Sequence, residues 1–280
     1  MKSKIVYRVL FFIFLAVFIG AAGMWGYQTY QNYKAEKEFD DLSNMVIDTE
    51  DSESESESGS ESETESEDII DELAGIQVPE KNLDWNALKE KNDHIYAWIY
   101  IPNTNVDYPI VQHPTDSSYY LRRDLNGKKS TPGSIYTQHI NSTDFTDPHT
   151  VIYGHNMSNK TMFATLHKYK NLSFFEQNPY IYIYMEDKVL VYEIFGAYKR
   201  DDRHLLVSYN CDVKESFQAY IDSIFEIRDM DARFRDTSDV TADDRIITLS
   251  TCEQEVGDDG MRYIVQAVLV NPSALAQDAE

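Results

Sequence analysis

RIITLSTCEQ (Arg245–Gln254) sets a cysteine at the end of an apolar, β-branched run, in a chain with one other cysteine. Such a run predicts a strand with at least one buried face. Its last residue, Cys252, then emerges where strand meets loop, a place where rigid backbone can hold a reacting side chain. Ten residues on, MRYIVQAVLV (Met261–Val270) predicts another strand, opening on Arg262. If the two pair antiparallel, Cys252 and Arg262 share one rim of the sheet. Working outward, six more runs rich in Ile, Val and Tyr recur between turn residues: IYAWIYI (Ile95–Ile101), VDYPIVQ (Val106–Gln112), GSIYTQ (Gly133–Gln138), TVIYGH (Thr150–His155), YIYIYM (Tyr180–Met185) and KVLVYEIFGAYK (Lys188–Lys199). Eight such strands predict a mainly β fold, a closed or nearly closed barrel. TMFATLHKYKNLSFFEQN (Thr161–Asn178) and VKESFQAYIDSIFEIRD (Val213–Asp229) predict helices, the second with Phe217, Tyr220, Ile221, Ile224 and Phe225 on one face. Asp84 in LDWNALKEKN (Leu83–Asn92) is placed to cap a short helix.

The 280 residues hold one domain plus extensions. Acidic residues outnumber basic ones 48 to 25, a net charge of -23, and twelve carboxylates lie between Glu50 and Glu72, mostly in EDSESESESGSESETESED. With no basic patch, electrostatics argue against a nucleic-acid partner. The Ser/Glu tract has too little apolar surface to offset its ordering entropy, and like charges keep it extended, so it reads as a spacer. Before it, Lys2, Lys4 and Arg8 precede VLFFIFLAVFIGAAGMWGY (Val9–Tyr27), 19 residues without a charge. At about 1.5 Å per residue this nearly spans a hydrocarbon core of about 30 Å. The basic flank leaves the N-terminus in the cytoplasm and exports the rest. A cleaved signal peptide is the competing reading, through GAAG (Gly20–Gly23); the length of the run favours an uncleaved anchor. The chain thus divides into a basic tip and transmembrane anchor (1–27), an acidic linker (28–75) and a folded domain (76–280).

A thiol becomes a nucleophile only as a thiolate, which needs a nearby base or cation. His155, behind a glycine that eases the turn out of its strand, can be the base, and Arg262 the cation. The residues alone leave three readings of Cys252 open: a nucleophile, half of a disulfide with Cys211 in an exported protein, or an inert space-filling thiol. The seven histidines are scattered without metal-ligand spacing, and there is no glycine-rich phosphate loop, so neither metal nor cofactor is implied.

TLSTC (Thr248–Cys252) followed by Arg262, with YGHNM (Tyr153–Met157) and TMF (Thr161–Phe163) upstream, resembles the sortase family, class B in particular. The resemblance runs from about Asp84 to Asn271 and includes YYL (Tyr119–Leu121), GSIY (Gly133–Tyr136), FGAYK (Phe195–Lys199) and the long helix before the cysteine strand. It implies a membrane-anchored cysteine transpeptidase of Gram-positive bacteria, built on an eight-stranded β-barrel with peripheral helices. Carried onto this chain, Cys252 attacks the carbonyl of a threonine in a C-terminal sorting signal and forms a thioester. His155 is the general acid and base, Arg262 holds the substrate backbone or the oxyanion, and the Glu253 N–H is a second oxyanion donor. Tyr153, Leu121, Ser117, Ser250, Leu206 and Val207 match stretches that line the signal groove; Ser117 stands where some class B members have asparagine. The implied partners are surface proteins bearing the signal and an amine of the cell-wall peptidoglycan precursor. The implied location is the cell membrane, single-pass, with the catalytic domain outside. No cofactor or metal is expected: GDDG (Gly257–Gly260) has poor chelation spacing and reads as a flexible loop. Cys211 then reads as a lone thiol near the start of the long helix. Two alternatives stay open, a pilin-polymerising sortase with a lysine acceptor and a cysteine hydrolase that releases the acyl group to water.

Overall fold

The computed structural model describes residues 2–43, 73, 75–235, 240–254 and 260–276. All eight predicted strands form: β1 (Ile95–Tyr100), β2 (Asp107–Gln112), β3 (Ile135–Thr137), β4 (His149–Tyr153), β5 (Tyr180–Tyr184), β6 (Val189–Asp201), β8 (Ile246–Cys252) and β9 (Met261–Leu269). A two-residue strand, β7 (Arg233–Phe234), is added on β6. The order β5-β1-β2-β3-β4-β8-β9-β6 closes on itself through β5–β6, giving an eight-stranded barrel without a free edge. Two pairings are parallel, β2 with β3 and β4 with β8; the other six are antiparallel. Thirteen residues let β6 serve three neighbours, with β5 along Val189–Glu193, β7 at Gly196 and Ala197, and β9 along most of its length.

Strand alternation sorts β8 into two faces. Ile247 and Leu249 point into the barrel with Trp98, Ile152 and Val265, all fully buried. Ile246 and Ile264 face outward and are covered, with Val151, Phe195 and Tyr198, by the long helix.

The helices are α1 (Lys2–Ser43), α2 (Trp85–Lys91), α3 (Leu172–Gln177), α4 (Leu205–Ser208), α5 (Lys214–Phe225) and α6 (Ser273–Ala276). Within α1, Leu10–Tyr27 has mean hydropathy 2.0 and is long and apolar enough to cross a membrane. The helix runs on through the first part of the acidic linker; the Ser/Glu tract lies outside the described residues. Asp84 caps α2 by accepting from the Ala87 N–H at 2.9 Å. In α5, Phe217, Tyr220, Ile221 and Ile224 are buried on the barrel, while Phe225 is half-buried at its end. One expected helix is instead two pieces. Ala164–Lys170 is a 3₁₀ segment, and Asn171 ends it by turning its side chain to cap α3, accepting from the Phe174 N–H at 3.1 Å. Asparagine favours capping over a helix interior, so it divides the run.

Candidate active site

Cys252 is the last residue of β8 and stands directly opposite Arg262 on β9. On the other side, β4 runs parallel to β8 with Tyr153 opposite Ser250, and His155 follows two residues later. The register therefore delivers a thiol, an imidazole and a guanidinium to one rim. All three are half-buried and line a single pocket of about 90 Å³, together with Leu121, Tyr136, Tyr153 and Ser250. A second pocket of about 230 Å³ shares Leu121, Tyr136, Tyr153, Ser250 and Arg262, and extends toward Gln138 and the 200–205 segment. Together they form one groove leading to the thiol.

His155 is fixed at its Nε2. That nitrogen lies 2.7 Å from the Leu121 carbonyl oxygen, which can only accept, so Nε2 carries a proton and Nδ1 is the basic nitrogen of the neutral ring. Burial lowers the His155 pKa; the Leu121 carbonyl opposes this, and the Arg122 and Arg262 charges reinforce it. The resting ring at neutral pH is therefore the neutral imidazole. The carbonyl it meets belongs to the turn Tyr119–Arg122, which packs on Gly133. Gly133 has φ +60°, and a Cβ there would sit 2.5 Å from the Leu121 oxygen, so glycine keeps the turn in place. Gly154 acts differently from the expected loosening of a turn. A Cβ on it would lie 2.5 Å from Ile135 Cδ1 and 2.7 Å from the Phe163 ring, so close packing is what requires glycine before His155.

Arg262 reaches the Met261 carbonyl at 3.1 Å, and its Nη2 lies 3.9 Å from Asp202 Oδ2. Neither Cys252 nor Cys211 is in a disulfide, which removes the disulfide reading. Cys211 sits 3.7 Å from His149 Nδ1, and burial pushes its thiol up to about 11. Among the described residues no group of three or more His, Cys, Asp or Glu side chains could hold a metal. Most of the GDDG loop lies outside them.

Of the expected groove residues, Tyr153, Leu121 and Ser250 line it. Ser117 does not: its Oγ is 2.7 Å from His139 Nδ1, and it lines neither pocket. Leu206 and Val207 line a separate cavity of about 350 Å³ beside His149 and Cys211, while His204 and Leu205 face the groove. Successive residues of the single turn α4 point in different directions, which divides this set between two cavities. The Glu253 N–H is also not available to an oxyanion, because it donates to the Met261 carbonyl at 3.2 Å. The Glu253 carboxylate instead takes an ion pair from Lys170 at 2.7 Å. No local pattern in the sequence marks Gln138 in the groove, or Asn156 and His167 behind the thiol.

A Sortase domain model matches residues 99–270. Sortase B of Listeria monocytogenes is 32% identical over 185 residues, 65% of this chain and 72% of the relative. Sortase B of Staphylococcus aureus is 28% identical over 189 residues, 68% and 75% of the two chains. The crystal structure of Clostridium perfringens sortase B superposes with a TM-score of 0.58 at 33% identity, covering 66% of this chain and 98% of that one. The chain belongs to the sortase family of cysteine transpeptidases, and its relatives place it in class B. It is an enzyme of surface-protein anchoring.

Proposed function

We propose that Cys252, His155 and Arg262 carry out a two-step acyl transfer on a C-terminal sorting signal. The observation that supports this is their convergence on one groove at the ends of three neighbouring strands. The Cys252 sulfur attacks a threonine carbonyl of the signal, and its proton passes to Nδ1 of the neutral His155 ring. Collapse of the tetrahedral intermediate breaks the peptide bond, and the imidazolium returns that proton to the leaving amine. The thioester is then attacked by an amine of the peptidoglycan precursor, which gives a proton to His155 as the thiolate departs, and the imidazolium returns that proton to the Cys252 sulfur. The Leu121 carbonyl, accepting from Nε2–H, favours the imidazolium in both steps. Arg262 supplies the oxyanion donor, since the Glu253 amide is engaged with Met261. Tyr153, Leu121 and Ser250 form the wall along which the signal lies.

The apolar span Leu10–Tyr27 anchors the enzyme, with the basic tip inside, the acidic 28–75 stretch as spacer and residues 76–280 as the extracellular catalytic domain. The test mixes the full-length protein in detergent with quenched peptides bearing NPQTN-, LPXTG- and SPXTG-type signals, with and without triglycine, followed by mass spectrometry. Cleavage after threonine with an amine-ligated product supports the reading and names the signal. Cleavage to the free acid alone, even with triglycine, overturns the transfer step in favour of hydrolysis.

A further inference from the structure

We propose that Asn156 is a positioning residue for Cys252, oriented by His167, and that it fixes the spacing between the nucleophile and His155. The inference rests on the reading of Cys252 and His155 as the reacting pair. The relevant geometry lies where the β4–β8 ladder ends. The last contacts between these strands are the Tyr153–Ser250 pair and the Gly154 N–H donating to the Ser250 carbonyl at 3.2 Å. Beyond that point the backbones part. β8 continues to Cys252 against β9, while the chain after His155 enters a loop closed by an Asn156–Met162 bridge.

The Asn156 side chain spans the gap. Its Nδ2 donates to the Cys252 carbonyl at 3.0 Å and lies 3.4 Å from the Glu253 carbonyl. The same nitrogen is 2.9 Å from His167 Nε2, which is itself 3.2 Å from the Cys252 carbonyl. One ring nitrogen cannot both accept from Asn156 and donate to Cys252. The shorter contact assigns it as the acceptor and puts the neutral ring's proton on Nδ1, the side facing the Glu253 carboxylate at 4.0 Å. His167 itself is held by the 3₁₀ segment and rests on the Tyr263 ring at 4.6 Å, opposite Thr251 in the β8–β9 register.

Two features show that this contact determines the side chain's orientation. Asn156 is buried, and its Oδ1 has no hydrogen-bond partner among the described residues. A carboxamide that leaves its own acceptor unsatisfied is held by its donors, because turning it over would set Oδ1 against two carbonyl oxygens. The peptide it grips is also pinned on its other edge, since the Glu253 N–H donates to Met261. Holding Cys252–Glu253 on both edges fixes the end of β8 that carries the thiol. Asn156 directly follows His155 in the chain, so the same bond ties the acid–base residue to the nucleophile.

The test uses the full-length protein in detergent, with Asn156→Asp, Asn156→Ala, His167→Gln, His167→Ala and Cys252→Ala. Asn156→Asp keeps the shape but turns the donor into an acceptor facing the Cys252 carbonyl. Peptide cleavage with triglycine gives kcat and KM, iodoacetamide alkylation gives substrate-free thiol reactivity, and near-UV circular dichroism reports folding. A misplacement of about 1 Å costs on the order of 10²-fold, so Asn156→Asp should lower kcat by about that factor with KM nearly unchanged and an altered alkylation rate. His167→Gln, which restores an acceptor, should stay near wild type while His167→Ala falls about tenfold. A natively folded Asn156→Asp with wild-type kcat and alkylation rate overturns the proposal. So does equal loss in His167→Gln and His167→Ala, a pair that decides the matter if Asn156→Asp does not fold. Full turnover in Cys252→Ala would instead overturn the underlying site reading, and this inference with it.

Discussion

His149→Gln removes a buried imidazole whose pKa burial pushes down to about 3, with a smaller contribution from the Arg200 charge. The ring stacks between α5 and the barrel, 5.3 Å from the Tyr220 ring, with Nε2 2.7 Å from the Thr248 hydroxyl. In the unfolded chain the same group titrates near 6.5. Because the folded pKa is the lower one, unfolding takes up a proton anywhere between the two values. The stability this neutral histidine contributes is therefore complete above pH 6.5 and is lost as pH falls toward 3. At pH 5 the loss is about 1.5 pH units at about 1.4 kcal/mol each, or about 2 kcal/mol. Glutamine does not titrate, and carboxylate contributions are shared by both proteins, so the difference between them isolates His149. Urea unfolding of both proteins at pH 7.5 and pH 5.0 measures it. The stability advantage of the wild type should shrink by about 2 kcal/mol at the lower pH. Parallel profiles for the two proteins would refute the claim that His149 is held neutral.

Cys252→Ala should abolish peptide turnover while leaving the unfolding midpoint within a degree or so, since the thiol is half-buried at a strand end. Arg262→Lys keeps the charge but loses the planar fork, and kcat should fall on the order of 10²-fold with folding unchanged, as read by steady-state kinetics and circular dichroism. Gly154→Ala forces a methyl group against Ile135 and Phe163 and should cost about 1–3 kcal/mol in urea unfolding. Because the Phe163 N–H donates to the His155 carbonyl, the same change should lower kcat beyond what the folded fraction explains.

The barrel was legible because each of its eight strands is a run of Ile, Val and Tyr long enough to show against its turns. β7 was not, being two half-buried residues defined only by their pairing with Gly196 and Ala197. The thiol, imidazole and guanidinium were legible as residues placed at predicted strand ends, and the β8–β9 register bears out the shared rim of Cys252 and Arg262. The groove was less so. Local likeness grouped Leu206 and Val207 with the signal wall, yet one helical turn directs Leu205 to the groove and its two successors elsewhere. The Glu253 amide reads as an oxyanion donor by its position after the nucleophile, yet the pairing with β9 commits it to the Met261 carbonyl. Asn156 shows the limit most clearly: its contact is with a carbonyl 96 residues away, and no local pattern encodes a bond set by the divergence of two strands.

The most direct test of acyl transfer at Cys252 is intact-mass analysis of the full-length protein, acid-quenched after mixing with a sorting-signal peptide in the absence of any amine acceptor. Acyl transfer at this site yields an adduct with the mass of the peptide up to and including its threonine, mapped to Cys252. Hydroxylamine or triglycine should release it, and it should be absent in His155→Ala. An adduct on Cys211, or cleavage that persists in Cys252→Ala, would contradict the claim that these three side chains form the acyl-transfer site.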